Sequence, residues 1–89
     1  MELEILTYGH VRDAAGQKTL VREYPADTSV GDVLDALESA FDLTDLTADF
    51  EQNTLVVHKN GRDVKLDADL ETTLEDGDRL SLTGTPMPE

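Results

Sequence analysis

The chain has 89 residues, with 20 Asp plus Glu against 7 Lys plus Arg, a formal net charge of −13. That length makes one small domain with a thin core, and a field of that sign repels nucleic-acid phosphates and anionic lipid. No apolar run approaches the ~20 residues of a membrane span, and the absence of cysteine removes disulfides, thiolate metal sites and any thioester of the chain's own. Nucleic acid and membrane are thus excluded as expected partners. The opening Met1-Glu2-Leu3-Glu4 lacks the basic and apolar regions of a signal peptide, so a cytoplasmic location is expected. The acids are dispersed among periodic apolar residues, which indicates a folded core. A surface this acidic suits a halophilic protein, because high salt screens its self-repulsion.

Glu2 to Tyr8 alternates, with Leu3, Ile5 and Thr7 on one face and Leu6 and Tyr8 on the other, which is strand spacing. Gly9 to Gly16 reads as a polar turn, and Lys18 to Tyr24 as the return strand of a hairpin, stopped by Pro25. Thr28 or Ser29 then caps a helix. Ser29 and Asp32 have the spacing of a capping box built with a shorter acid. Val30, Val33, Leu34, Leu37, Ala40 and Phe41 follow as one apolar stripe, with Asp32, Asp35 and Glu38 opposite. Asp42 to Asn53 is expected to be an acidic connection pinned to the core by Leu43, Leu46 and Phe50.

Thr54 to Lys59 is a β-branched run, and Asn60-Gly61 is a type I′ turn signal because both residues must accept positive φ. Asp63 to Leu66 closes that hairpin. Leu70 and Leu74 anchor a connection, Asp76-Gly77-Asp78 turns, and Arg79 to Thr83 is the final strand with Leu80 and Leu82 on one face. The order hairpin, helix, hairpin, turn, strand predicts an α+β, ubiquitin-like β-grasp fold. Residues 1–83 form the domain, a mixed sheet of four to five strands with the last strand central and one main helix covering one face. Residues 84–89, Gly84-Thr85-Pro86-Met87-Pro88-Glu89, form a flexible C-terminal tail, since two prolines cannot extend a sheet regularly.

Candidate chemistry is sparse. His10 and His58 sit on different elements, and a zinc site needs three or four ligands. Asp76-Gly77-Asp78 stops after two acids, where a calcium loop needs alternating acids over about 12 residues. Glu71, Glu75 and the aspartates have the spacing of a solvated face, and no phosphate loop or nucleophile elbow occurs. The expectation is a binding protein with no catalytic residues, metal or cofactor. The sheet face away from the helix presents Leu6, Tyr8, Val56, His58, Ser81 and Thr83. With the last strand between the first and third, these form one patch with an aromatic at its centre, suited to docking another protein.

Four stretches together resemble the sulfur-carrier family: Tyr8 to Gly16, Ser29 to Leu37, Val56 to Gly61 and Leu74 to Leu80. That family includes the small subunit of molybdopterin synthase, the thiamine-pathway sulfur carrier and the small archaeal modifier proteins. The resemblance implies a ubiquitin-like fold and a C-terminal Gly-Gly that an adenylating enzyme activates, for thiocarboxylate formation or for attachment to a target lysine. Here Pro88 and Glu89 stand in the place of the two glycines. Pro88 fixes φ and lacks an N–H, and Glu89 adds a side chain and a charge. The resemblance carries Tyr8, Arg12 and Val56 onto the family's docking positions, while Thr83 stands where an aromatic often lies.

The expected function is therefore a protein-interaction module, monomeric alone, that is not conjugated through its own C-terminus. The alternative is a genuine modifier or sulfur carrier serving molybdopterin or tRNA thiolation. The resemblance implies partners such as an adenylating enzyme, a molybdopterin-synthase-like large subunit, or target proteins. Lys18, Lys59 and Lys65 are the chain's only lysines.

Overall fold

The computed structural model describes residues 1–41, Leu43 and 45–84. Strand β1 (Glu2–Tyr8) buries Leu3, Ile5 and Thr7, as its alternation predicts, and pairs antiparallel with β2 (Thr19–Glu23). The connection between them is not a polar turn but a short helix, α1 (His10–Ala15). Val11 is its one buried side chain, and Gly16, at φ 73°, closes it by donating its N–H to the Arg12 carbonyl at 2.8 Å. Six residues are too few to display helical periodicity, which is why the segment reads as a turn.

Helix α2 (Val30–Phe41) starts as its cap predicts. The Asp32 N–H donates to Ser29 Oγ and the Ser29 N–H to Asp32 Oδ2, both at 3.2 Å, so two otherwise unpaired donors are satisfied reciprocally. Val30, Val33, Leu34 and Leu37 are buried. The stripe fades at its end, where Phe41 is half-buried and Ala40 is exposed. Ser29→Ala is expected to cost about 1 kcal/mol, lowering the thermal midpoint by roughly 4–8 °C. Circular-dichroism melts check this against Ser39→Ala, an exposed site on the same helix that is expected to show no loss.

The acidic connection contains a second correction: α3 (Leu46–Glu51). Leu46 and Phe50 are one helical turn apart and both buried, so the residues that pin the segment also make it helical. Strand β3 (Leu55–Lys59) follows, and Asn60 and Gly61 take φ of 52° and 85°, as a type I′ turn requires. The closing strand β4 is only Arg62–Asp63, not Asp63 to Leu66. Asp63 accepts the Lys65 N–H at 2.9 Å and so caps a 3-10 turn over Val64–Leu66 that buries Val64. Leu74 is buried and Leu70 half-buried, and the final strand β5 runs Arg79–Gly84. It takes in Gly84, the residue at which the tail was expected to begin.

The five strands lie in the order β2-β1-β5-β3-β4, with β5 parallel to β1 and antiparallel to β3. This is the mixed β-grasp sheet. Its inner face offers Leu3, Ile5, Val57, Leu80 and Leu82 to Val30, Val33, Leu34 and Leu37 of α2, and all of these are fully or almost fully buried. Each such side chain contributes ~1.5–3 kcal/mol by leaving water. The Asn60 side chain fastens the β3–β4 turn to the root of β5, accepting the Arg79 N–H and donating to Asp78, both at 3.0 Å. At the other edge, burial pushes the Tyr24 phenol above its ordinary value, against the opposing pull of the Arg22 charge.

Candidate docking face

With the inner face committed to the core, the outer face of the three central strands is the surface free to meet a partner. The strand register stacks its side chains in ranks about 4.8 Å apart from strand to strand. One rank is Tyr8–Thr83–Val56 and the next is Leu6–Ser81–His58. Tyr8 is 39% and Val56 36% exposed, and Thr83, small and exposed, lies between them. Leu6, Ser81 and His58 are half-buried. A third rank places Glu4 beside Arg79, whose Nε donates to Glu4 Oε1. Both groups are solvated, so that ion pair shapes the rim more than it stabilises the fold. An open hollow lined by Leu6, Asn60, Gly61, Gly77, Arg79 and Ser81 occupies this end of the face.

Arg12 joins the face from α1. Its Nε donates to the Thr7 carbonyl at 2.8 Å, and its guanidinium lies 4.9 Å from the centroid of the Tyr8 ring. The cation–π contact is worth ~0.5–1 kcal/mol at an exposed site. It holds both the ring and a positive charge in place at one edge of the patch. The structure thus brings Leu6, Tyr8, Arg12, Val56, His58 and Thr83 onto one surface.

The end of β5 has a geometry that no local signal in the sequence announces. Gly84 is buried and pairs with Leu55 at the end of β5. Gly9, at φ 65°, packs against its backbone so closely that a Cβ on Gly9 would come within 2.5 Å of the Gly84 carbonyl oxygen. A Cβ on Gly84 would overlap the His10 imidazole. His10 Nε2 in turn lies 3.8 Å from Asp49 Oδ2, so α1 and α3 meet above Gly84. Gly84 is therefore held at a fixed point, next along β5 to Thr83, the register partner of Tyr8. Thr85, Pro86, Met87, Pro88 and Glu89 lie outside the described residues.

The lysines differ in their surroundings. Lys59 Nζ donates to the Thr73 carbonyl at 3.1 Å and lies 3.7 Å from Asp78 Oδ2. Lys65 Nζ bonds Asn53 and sits 4.8 Å from the centre of the Phe50 ring. Lys18 is exposed at the approach to β2. Among the described residues, no group of three or more His, Cys, Asp or Glu side chains is placed to hold a metal, and no helix is long and apolar enough to cross a membrane.

Comparison with known proteins places this geometry. The model of the ThiS family matches residues 5–82. Small archaeal modifier protein 3 of Haloferax volcanii is 39% identical over 85 residues, covering 92% of each chain. Among solved structures, that of the Haloferax volcanii HVO 2177 protein superposes with a TM-score of 0.83 at 32% identity, over 100% of this chain and 87% of that one. The crystal structure of SAMP1 from Haloferax volcanii superposes with a TM-score of 0.77 at 24% identity, over the whole of both chains, a likeness of fold.

Proposed function

The chain belongs to the ThiS family, and from that premise we propose that it is a ubiquitin-like protein-interaction module working in the cytoplasm by docking rather than by catalysis. Its docking surface is Leu6, Tyr8, Arg12, Val56, His58 and Thr83. The observation that carries this reading is the exposed rank Tyr8–Thr83–Val56 on the free face of the sheet, with Arg12 pinned at its edge. Tyrosine and arginine, here Tyr8 and Arg12 held side by side, are residue types that binding hot spots favour, and the polar rim supplies register. The charge of −13 steers this face toward a partner whose own rim is basic. An adenylating-enzyme-like protein, a molybdopterin-synthase-like large subunit and modified target proteins are the partner classes that family membership suggests.

The finer part of the proposal is that docking proceeds without conjugation through Pro88 and Glu89. A narrow activating channel needs residues that let the backbone approach a nucleotide, which glycine does and proline followed by a charged side chain does not. The competing reading, a modifier or sulfur carrier, draws support from the name of the 39% identical relative. ATP–pyrophosphate exchange with the adenylating enzyme of the same cell separates the two. The chain is expected to bind that enzyme without stimulating exchange, and the double change Pro88→Gly, Glu89→Gly is expected to create it. Exchange by the unaltered chain at the rate of a diglycine-bearing relative would establish the competing reading instead.

A further inference from the structure

The two edges of the sheet are finished differently. β4 is two residues long and gives way at once to a 3-10 turn. β2 is five residues long, continuous in register, without proline, and paired, among the described residues, only with β1. Open edges of that length are usually blunted, because their unpaired backbone groups template pairing with another strand.

Which groups are open follows from the ladder. At one end Tyr24 N–H donates to the Met1 carbonyl at 2.9 Å and the Met1 ammonium donates to the Tyr24 carbonyl at 2.7 Å. At the other end Thr7 N–H donates to the Lys18 carbonyl at 2.9 Å. Bonded and non-bonded pairs alternate along an antiparallel ladder, so Tyr24, Arg22, Leu20 and Lys18 turn their backbone groups toward β1. Thr19, Val21 and Glu23 turn theirs outward. All three are exposed, Val21 by 58%.

We infer that this edge is a self-association site, where β2 pairs antiparallel with β2 of a second copy about Val21, making one sheet across two chains. A joining strand must present open groups at alternate residues in the opposite order, and β2 itself does so. Centred on Val21, Thr19 meets Glu23 of the second copy and Val21 meets Val21, which allows about six backbone hydrogen bonds. The side chains agree with that register. On the helix side Leu20 meets Arg22, whose guanidinium lies 5.5 Å from the centre of the Phe41 ring, and Lys18 meets the half-buried Tyr24.

No like charges stand directly opposite in this arrangement. The segment Lys18 to Glu23 carries two cations and one anion, so it is locally positive in a chain of −13. Local charge therefore permits contact, while the whole-molecule charge opposes approach. That opposition fades with salt, as the Debye length falls from ~10 Å at 0.1 M to ~3 Å at 1 M. The monomer expected from the sequence is the low-salt limit of this equilibrium.

Sedimentation equilibrium of the full chain at about 0.1 M and about 1 M salt tests the inference. The association constant is expected to rise at least ~10-fold between them, with a dimer at the high-salt end. Val21→Pro deletes an N–H that points away from β1, so the fold is kept while the joining ladder is broken. Val21→Lys sets like charges face to face at an exposed site. Both variants are expected to stay monomeric at high salt, and Val21→Lys carries the test should Val21→Pro prove unfolded by circular dichroism. Tyr8→Ala is expected to dimerise like the intact chain, which separates this edge from the docking face. A chain that stays monomeric at high salt, or a Val21→Lys variant that dimerises as the intact chain does, overturns the inference.

Discussion

Leu82→Ala is expected to lower the thermal midpoint by about 15–25 °C. Leu82 is fully buried on the central strand, level with Thr7 of β1 on one side and Val57 of β3 on the other. Neighbouring strands hold the backbone on both sides, so the site cannot collapse around the missing atoms. A fully buried leucine truncated under such conditions costs about 3–4 kcal/mol, as lost transfer energy plus a cavity. An 89-residue domain has roughly 4–13 kcal/mol in total. Urea titration should show the denaturation midpoint falling with little change in slope. Leu66→Ala, at a side chain 70% exposed, is the control and should shift stability by less than about 0.5 kcal/mol.

The second large effect concerns binding. Tyr8→Ala is expected to weaken association with the protein partner by at least ~30-fold, about 2 kcal/mol, with the fold intact. The ring is the one aromatic of the Tyr8–Thr83–Val56 rank, and its loss also frees Arg12 from the contact that orients it. Because Tyr8 is not part of the core, its circular-dichroism melt should be nearly that of the unaltered chain. Isothermal titration with the purified adenylating enzyme measures the affinity change. Glu71→Gln, at an exposed site away from these ranks, should bind as the unaltered chain does.

How far the molecule was legible beforehand depended on how far each signal reached along the chain. The strands β1, β3 and β5 and the helix α2 announce themselves because their apolar residues repeat over enough positions to define a period. Ser29 and Asp32 do so because a capping box is local. Central placement of β5 followed from the order of elements, and it alone aligns Tyr8, Thr83 and Val56. The segments misread were those where a single turn of helix is stabilised by tertiary contacts. Val11 gives α1 one anchor, and Leu46 with Phe50 gives α3 two, too few to distinguish a helix from a pinned loop. The same gap hid what Arg12 and His10 do, since both project from α1. Arg12 was assigned to the candidate docking face only through family resemblance, and its hold on Tyr8 and on the Thr7 carbonyl required the fold. The close packing of Gly9 on Gly84 joins residues far apart in the chain, and nothing in either neighbourhood encodes it.

The most direct test of the docking proposal is amide chemical-shift mapping of the full chain as the adenylating enzyme is added. The largest perturbations are expected on Leu6, Tyr8, Arg12, Val56, His58, Ser81 and Thr83, fading across α2. Perturbations concentrated instead on α2, or around Phe50 and Lys65 beyond the sheet, would contradict a partner seated on the free face.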